Sequence, residues 1–546
     1  MTARARTLET FYEPAGLAGL ACARACAGHV LIGTVGGREP LRAPVCWGAP
    51  FGARRATAAD VRASDSNLRV RVVGIGMAVA WDDVAAQVVT APSGPVGLYI
   101  ADGPGVRVWA THAVAAAYLA RGVADLDVDA IPELVAFDFV GSTRTTIKGA
   151  LPAPPATRTE LTARGVSAHC YWPAEERWAP VPEEDAYAHT ETALLDSLDR
   201  RVGSKKVALA LTAGADSRVL AVGLNELEKS TSAFCWGERG WLDVEGARAV
   251  ADELGIAFAH GVAWLPDAEL GPIFDGEARW SDGRLILAPS RREWPEAADA
   301  ITLGAAGEVG RAFYYRGHAN GREPGDLDGL AELLRAEGRL PGAASEAHAT
   351  ANASVAAWVE RASESGLTGW RVLDVLYAEQ RVSCWGRIQV PALDAAFVAG
   401  FAPQEVVRGL ASLSLVDRTT DGFHRRFVAS HRPALALPAP VERREHGGGL
   451  RHRLRRIRTA PAPAGPQNAT SDPLLLDIWK QRPATRAWVA DEVLSSPLVT
   501  ETLGAPWAES VREGFLAGHR RAWDRAAVAC APVALASALS ELPRAP

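Results

Sequence analysis

Helical and strand-like segments alternate regularly between residues 187 and 254, and this alternation restricts the possible folds more than any other feature of the chain. Residues 187–202 carry leucine and valine at helical spacing, and the continuous apolar run at 207–211 has the length of a buried strand. The segments that follow predict a helix at 217–225, a strand at 232–236 and a helix at 243–254. Repeated units of this size predict a parallel sheet with helices on both faces.

The N-terminal third has a different pattern. Short apolar runs broken by glycine, proline and aspartate predict a mostly β layer structure between residues 28 and 175, with helices at 113–121 and 131–137. The predicted strands contain residues 30–32, 70–73, 88–89, 96–100 and 106–109. A stretch rich in proline and glutamate at 173–185 then separates this region from the alternating one.

These patterns predict an α/β protein with two domains, since 546 residues exceed what one ordinary hydrophobic core supports. We expect a β-rich α+β layer domain at residues 1–180 and a parallel-sheet domain with a helical C-terminal part at 181–546. Seven arginines at 443–458, followed by an Ala- and Pro-rich stretch, predict a mobile loop at 443–470. The alternative for this segment is an arginine lid or a site for an anionic partner.

Charge and cysteine usage exclude several classes of partner. The chain has 58 Lys and Arg against 64 Asp and Glu, a net charge of −6, which gives no basic field for DNA or RNA. Its seven cysteines form no CxxC pair, which is typical of a reducing compartment. The apolar stretch at 15–27 is short and contains Arg24, so we expect neither export nor a membrane span. The prediction is a cytoplasmic protein without a nucleic-acid or membrane partner.

The segment 206–221 carries the clearest chemical signal. A predicted strand runs into a turn of small residues that opens a helix, and such turns let backbone N–H groups and the helix N-terminus approach phosphate oxygens. Thr212 and Ser217 add hydroxyl groups, and Asp216 adds a carboxylate of the kind that binds Mg²⁺. The two commoner nucleotide motifs, GxGxxG and GK[ST], are both missing here. A purely structural turn remains the alternative.

Residues 212–217, Thr-Ala-Gly-Ala-Asp-Ser, resemble the Ser-Gly-Gly-x-Asp-Ser pyrophosphate loop of the asparagine synthetase-like ATP pyrophosphatases. This family includes the β-lactam synthetases and the lasso-peptide macrolactam cyclases. Two positions are replaced, although both substitutes are small. Three later segments resemble further family segments in the same order: 235–255 the second strand and its helix, 300–308 the second phosphate-facing loop, and 390–394 the later Arg-x-Pro-Phe-Leu-Asp signature.

The N-terminal region resembles the glutaminase-like domain of the same family, through residues 93–99 and 165–172. The family's glutaminase nucleophile is a cysteine at the extreme N-terminus, whereas this sequence starts Met1-Thr2-Ala3. Residues 1–180 are therefore expected to be a degenerate glutaminase-like domain, and glutamine is not expected to supply the nitrogen.

The resemblance implies ATP and Mg²⁺ as cofactors and assigns roles to particular residues. Asp216 and Glu308 would hold the metal, while Thr212, Gly214, Ser217 and Gly304 would bind phosphate groups. Leu209 and Trp236 would lie near the adenine, and Arg218 is either a phosphate clamp or a helix-surface charge. The pyrophosphate cation would be Lys480, or an arginine among Arg418, Arg425 and Arg426, because the chain has only five lysines. Candidate bases for the amine are Tyr377 and Glu379, in a helix predicted at 373–385; the alternative is that the pair forms a helix face whose polar groups are bonded within the protein.

The implied activity is activation of a carboxylate by ATP, with release of pyrophosphate and AMP and formation of an amide bond with an amine. Specialised-metabolite biosynthesis is the expected setting, with a small-molecule or peptide carboxylate as substrate, and a homodimer is compatible with the resemblance. Two alternatives stay open: a lasso-type peptide macrolactam cyclase, and a non-catalytic nucleotide-binding homologue.

Overall fold

The computed structural model describes most of the chain, and all structural statements below refer to its described residues. These are residues 2–12, 20–25, 30–35, 45–48, 57–71, 76–82, 85–93, 98–141, 144–162, 165–237, 239–261, 267–284, 298–318, 323–385, 396–436 and 482–544. The fold is α/β, with two largely antiparallel sheets in the N-terminal part and one parallel five-stranded sheet after them. The predicted fold class is confirmed at this level. Lys480 and the segments 390–394 and 443–470 lie outside the described residues.

The two N-terminal sheets contain five strands each. The strands are β1 (Leu20–Ala25), β2 (Val30–Val35), β3 (Val45–Gly48), β4 (Gly76–Trp81), β5 (Ala85–Thr90), β6 (Tyr99–Gly103), β7 (Val106–Ala110), β8 (Ala150–Pro152), β9 (Thr157–Thr162) and β10 (Gly165–Cys170). The first sheet has the order β1-β2-β7-β6-β8, in which only β2 and β7 run parallel. The second sheet, β10-β9-β5-β4-β3, is antiparallel throughout.

One predicted strand, at 70–73, is wrong. Residues 70–71 end a helix, Asp65–Arg71, and residues 72–75 are not among those described. Leu68 in this helix is completely buried and packs in one cluster with Val61. At 70–71 the helix that contains Leu68 therefore replaces the predicted strand. The other predicted strands coincide with observed ones where they are described.

The first sheet is covered by a helix that is itself almost wholly apolar, Ala113–Arg121, as predicted. Every residue from Ala113 to Ala120 is buried, because the helix packs on β6 and β7 and shares a hydrophobic cluster with the N-terminal and last helices. The backbone N–H of Ala113 donates to the carboxylate of Asp282, at 2.8 Å. The helix start is thus capped by a residue that is distant in sequence. The other N-terminal helices are Thr2–Tyr12, Ala58–Val61, Asp65–Arg71, Ala130–Phe137 and Ala174–Arg177.

The parallel sheet has the order β13-β12-β11-β14-β15, formed by β11 (Val207–Ala210), β12 (Thr231–Trp236), β13 (Ala257–Gly261), β14 (Ala300–Leu303) and β15 (Ala396–Ala399). The strands and helices predicted between residues 187 and 254 are all present, with ends that differ by a few residues. On one side of β11 the chain adds β12 and then β13, and it afterwards adds β14 on the other side of β11. The strand order therefore reverses between β11 and β14, where ligands of open α/β sheets usually bind.

Helices surround the parallel sheet and form most of the C-terminal part, as predicted. The α-helices are Glu183–Val202, Ala215–Glu226, Leu242–Leu254, Asp267–Ser281, Leu327–Glu337, Ser345–Ser363, Trp370–Leu376, Val382–Trp385, Gln404–Ser412, Leu415–Thr419, Gly422–His431, Pro483–Ala487, Pro497–Leu503, Ala505–Leu516 and Arg520–Glu541. Gly307–Arg311 and Pro433–Leu435 are 3₁₀ helices, and Tyr377–Arg381 and Trp488–Val493 are π-helical turns.

The main hydrophobic core extends across the predicted domain boundary. Side chains of the helix Ala130–Phe137 and of Trp178 belong to the same cluster as Leu209 in the parallel sheet. The division at residue 180 therefore stays a prediction. Within the described residues, one helical stretch, Arg521–Glu541, is long and apolar enough to span a membrane. In its most apolar window 61% is buried inside the protein, which is compatible with a soluble fold.

Candidate functional site

The turn after β11 is held in shape by its own hydroxyl groups. The backbone N–H of Thr212 donates to Ser217 Oγ at 3.1 Å, and the N–H of Gly214 donates to Thr212 Oγ1 at 3.1 Å. The next helix begins at Ala215, with Gly214 as its N-cap residue. The N–H of Ala213 donates to the carboxylate of Asp243 at 3.2 Å. A carboxylate thus already occupies one N–H group of the turn, which is the chemistry expected of an anion-binding loop.

The second loop approaches Asp216 closely because it contains glycines at the contact points. A Cβ atom at Gly304 would lie 2.7 Å from the Cβ of Asp216, and one at Gly307 would overlap the Asp216 carboxylate. Only glycine permits such an approach. The loop between β14 and the 3₁₀ helix Gly307–Arg311 therefore places Glu308 beside Asp216, at the point where the strand order reverses. The predicted meeting of the two acids is observed.

Asp216 has two basic partners that sequence reasoning missed. Arg311 Nη1 donates to Asp216 Oδ2 at 3.1 Å, and His424 Nε2 lies 2.8 Å from Oδ1. Burial alone would raise the pKa of Asp216, but the charge of Arg311 and the contact with His424 outweigh burial and lower the pKa. Asp216 is therefore held ionised.

Arg311 is in turn fixed by a second buried carboxylate. Its Nε donates to Asp421 Oδ1 at 3.1 Å, and Arg316 donates to both oxygens of Asp421 at 2.9 and 3.1 Å. Asp421 is completely buried and has a left-handed backbone, with φ of 58°. Arg311 thus links two carboxylates. Neither His424 nor Asp421 gives a signal in a single sequence, because His424 is 208 residues from Asp216 and Asp421 is 110 residues from Arg311.

Glu308 lies in an environment that favours its neutral form. Tyr377 donates its hydroxyl to Glu308 Oε2 at 2.8 Å. Burial and the negative charge of Asp216 raise the pKa of Glu308 to about 7. Burial and the charge of Glu308 likewise hold the pKa of Tyr377 well above its ordinary value. Tyr377 is therefore a hydrogen-bond donor to Glu308 at neutral pH and a poor proton acceptor, contrary to its predicted role as a base.

Glu379 does not join this cluster, although sequence reasoning grouped it with Tyr377. Its carboxylate accepts hydrogen bonds from Arg177, at 2.7 and 3.0 Å, and from the indole N–H of Trp178. Residues two positions apart on a helix point in nearly opposite directions. Glu379 therefore ties the helix to the segment before the parallel-sheet region, and Tyr377 alone faces Glu308.

The remaining predicted nucleotide contacts lie around the turn. Leu209 is completely buried and paired with strands on both sides, so it supports the sheet and offers no exposed surface. Trp236 ends β12 and is half-buried. Arg218 is buried and donates to the carbonyl oxygens of Ala213 and Leu435, at 3.2 and 3.3 Å. The interpretation of Arg218 as a helix-surface charge is therefore wrong. Its guanidinium group stabilises the turn through the carbonyl oxygen of Ala213.

The predicted pyrophosphate cations are placed elsewhere or not described. Arg418 forms a buried ion pair with Asp374, while Arg425 and Arg426 are exposed. Arg311, which contacts Asp216 directly, is better placed than any of these three.

Asp216 and Glu308 fit Mg²⁺ in the form in which it usually accompanies nucleotides, bound by one or two carboxylates and by phosphate oxygens. Each oxygen of Asp216 has one observed partner and retains a further acceptor position. The negative charge of Asp216 raises the pKa of Glu308, and a bound cation would relieve this repulsion. Among the described residues, no group of three or more His, Cys, Asp or Glu side chains is arranged to hold a metal ion.

Comparisons with known proteins add no assignment to this geometry. No family model matches the chain, and no curated protein matches it.

Proposed function

We propose that the protein is an ATP-dependent ligase that forms amide bonds. The observation that carries this proposal is the pairing of Asp216 with Glu308 beside a small-residue turn, where the strand order of the parallel sheet reverses. This position and this donor set suit a magnesium–nucleotide complex. The segments that resemble the asparagine synthetase-like family supply both loops of the site.

In the proposed reaction, a carboxylate oxygen of the substrate attacks the α-phosphorus of ATP. A C–O–P linkage forms, the bond to pyrophosphate breaks, and pyrophosphate leaves. The amine nitrogen then attacks the acyl carbon, so that a C–N bond forms and AMP departs with the C–O electron pair. The proposal takes the amine directly, without glutamine hydrolysis, and the substrates are a small-molecule or peptide carboxylate and an amine.

The chain's residues would divide this work by their positions. The first backbone N–H groups of the helix that begins at Ala215, which its N-cap residue Gly214 does not cap, would bind phosphate oxygens. Arg311 would neutralise charge on the leaving pyrophosphate. Mg²⁺ held by Asp216 and Glu308 would neutralise the phosphates. Once pyrophosphate has left together with Mg²⁺, the metal-free Glu308 would accept the amine proton, because burial and the charge of Asp216 then raise its pKa to about 7.

The test is exchange of labelled pyrophosphate into ATP in the presence of pooled carboxylic acids. We expect exchange by the wild type and a loss of at least about a hundredfold in Asp216→Asn, since metal-assisted charge neutralisation supplies several kcal/mol. Asp102→Asn is the matched control, because Asp102 is an exposed carboxylate paired with Arg107 in the first sheet. Absence of acid-dependent exchange in the wild type, or equal exchange in Asp216→Asn, refutes the proposal.

A nucleotide-binding protein without catalysis is the second candidate. The observation that favours it is the engagement of Asp216 by both Arg311 and His424, which compete with a metal for the carboxylate. Equilibrium binding of ATP without any exchange would support this candidate. Formation of a cyclic amide within a peptide, rather than between two molecules, would identify a macrolactam cyclase.

A further inference from the structure

An aromatic side chain lies next to the Glu308–Tyr377 pair without being covered by the protein. Phe313 follows the 3₁₀ helix Gly307–Arg311, and its ring centroid is 4.7 Å from that of Tyr377 and 5.1 Å from that of Tyr314. Since Tyr377 bonds Glu308 directly, the Phe313 ring is one side chain away from the candidate reaction centre.

Phe313 is unusually exposed for its surroundings. It is 43% exposed, whereas Tyr377, against which it packs, is 3% exposed. Covering a phenylalanine ring fully is favourable by about 1.5–3 kcal/mol, and the chain gives up part of that gain here. Single exposed apolar residues are common on protein surfaces, so exposure alone does not indicate a site. The packing of the ring against Tyr377, which is the hydrogen-bond partner of Glu308, and the fixed orientation of the ring do.

The orientation of Phe313 is fixed by Arg381. The guanidinium carbon of Arg381 lies 5.0 Å from the Phe313 ring centroid and 5.5 Å from that of Phe139. Nη1 of Arg381 also donates to the carbonyl oxygen of Phe137 at 2.8 Å. A cation placed between two rings holds both in position. Phe313 therefore offers a preorganised flat surface.

A second tyrosine adjoins the same ring. Tyr314 packs edge-on against Phe313, with ring centroids 5.1 Å apart, and its buried hydroxyl faces the guanidinium of Arg381. We call Phe313, Tyr314, Tyr377 and Arg381 the aromatic wall.

We propose that the aromatic wall is the subsite for the acyl substrate, and that this substrate is a carboxylic acid with an aromatic ring or a comparably flat apolar group. The ring would stack on the exposed part of Phe313. This inference rests on the ligase activity proposed above and names the substrate class for the same site.

The test compares aryl acids, such as benzoic and cinnamic acid, with short aliphatic acids in the pyrophosphate exchange assay. Aryl acids are expected to have the lower KM in the wild type. Phe313→Ala is expected to raise the KM for aryl acids about tenfold, the loss of one stacked ring with its buried area. It is expected to leave kcat and the KM for ATP within about twofold. Phe313→Trp is expected to keep the KM low, and Leu516→Ala is the control, since Leu516 is 42% exposed on a different helix.

The outcomes separate this inference from the proposed function. Equal KM values for aryl and aliphatic acids, or an unchanged aryl-acid KM in Phe313→Ala, overturn the aromatic subsite while the exchange itself upholds the ligase. Absence of exchange with either series refutes the ligase and the subsite together. Phe313→Leu keeps an apolar side chain without the stacking face, so it replaces the alanine variant if that variant does not fold.

Discussion

Glu308→Gln should make the metal-free protein more stable at neutral and alkaline pH. In the folded state the pKa of Glu308 is raised by burial and by the charge of Asp216, from an ordinary value of 4.5 to about 7. In the unfolded chain both causes are absent. Between these pH values the folded state binds a proton that the unfolded state has lost, so the stability due to this group decreases as pH rises through the interval. Below pH 4.5 the group is protonated in both states and imposes no penalty.

The size of the effect follows from the same numbers. At about 1.4 kcal/mol per pH unit, a rise of the pKa from 4.5 to about 7 corresponds to a penalty of about 3 kcal/mol above pH 7. Glutamine has a similar shape and keeps an oxygen that can accept the hydrogen bond from Tyr377, so the substitution removes the charge and little else. The free energy of unfolding of Glu308→Gln should therefore equal that of the wild type near pH 4.5 and exceed it by up to about 3 kcal/mol at pH 8.

Urea unfolding followed by tryptophan fluorescence, in EDTA at half-unit steps from pH 4.5 to 8, measures this difference. Other titrating groups, including Asp374, whose pKa burial raises to about 6, affect both proteins equally and cancel. The same substitution in an Asp216→Asn background tests whether the Asp216 charge is a cause of the raised pKa. Without that charge, Glu308→Gln should increase the free energy of unfolding by less. Parallel stability curves for Glu308→Gln and the wild type would refute the raised pKa of Glu308, and an undiminished benefit in the Asp216→Asn background would refute the effect of the Asp216 charge.

Three further variants test other parts of the structure. Gly307→Ala should abolish most pyrophosphate exchange, because its Cβ would overlap the Asp216 carboxylate, whereas Gly317→Ala has open space around it and should be neutral in the same assay. Arg311→Gln should strengthen the binding of Mn²⁺ alone, because the guanidinium that competes for Asp216 is removed. The same variant should weaken the binding of pyrophosphate with Mg²⁺. If calorimetry shows that both affinities change in the same direction, the role of Arg311 as the pyrophosphate cation is contradicted. Arg418→Ala should lower the free energy of unfolding by about 3–5 kcal/mol, because it strands a buried carboxylate, and a loss under about 1 kcal/mol in urea unfolding would contradict this.

Much of the architecture could be predicted from local patterns. The run at 207–211, the small-residue turn and the helix that follows are encoded within about fifteen residues, and the structure contains them nearly as predicted. The helix Ala113–Arg121 was also found correctly, because its apolar residues form one continuous segment. By contrast, residues 70–71 have strand-like composition but belong to a helix, since the packing of Leu68 decides the outcome.

The candidate site likewise combines features that local sequence specifies with contacts that depend on the tertiary structure. The sequence by itself determined that two small-residue loops, each with one acid, follow two apolar strands. Asp216 and Glu308 could be identified as these acids from the sequence alone. Only the tertiary structure decided that Arg311 and His424 bind Asp216, that Tyr377 turns toward Glu308, and that Glu379 turns away to Arg177. The physical reason is that a strand–turn–helix unit is specified by neighbours in sequence, whereas these contacts join segments tens to hundreds of residues apart. Their geometry depends on sheet order and on the direction of each helical side chain, which a single sequence does not specify.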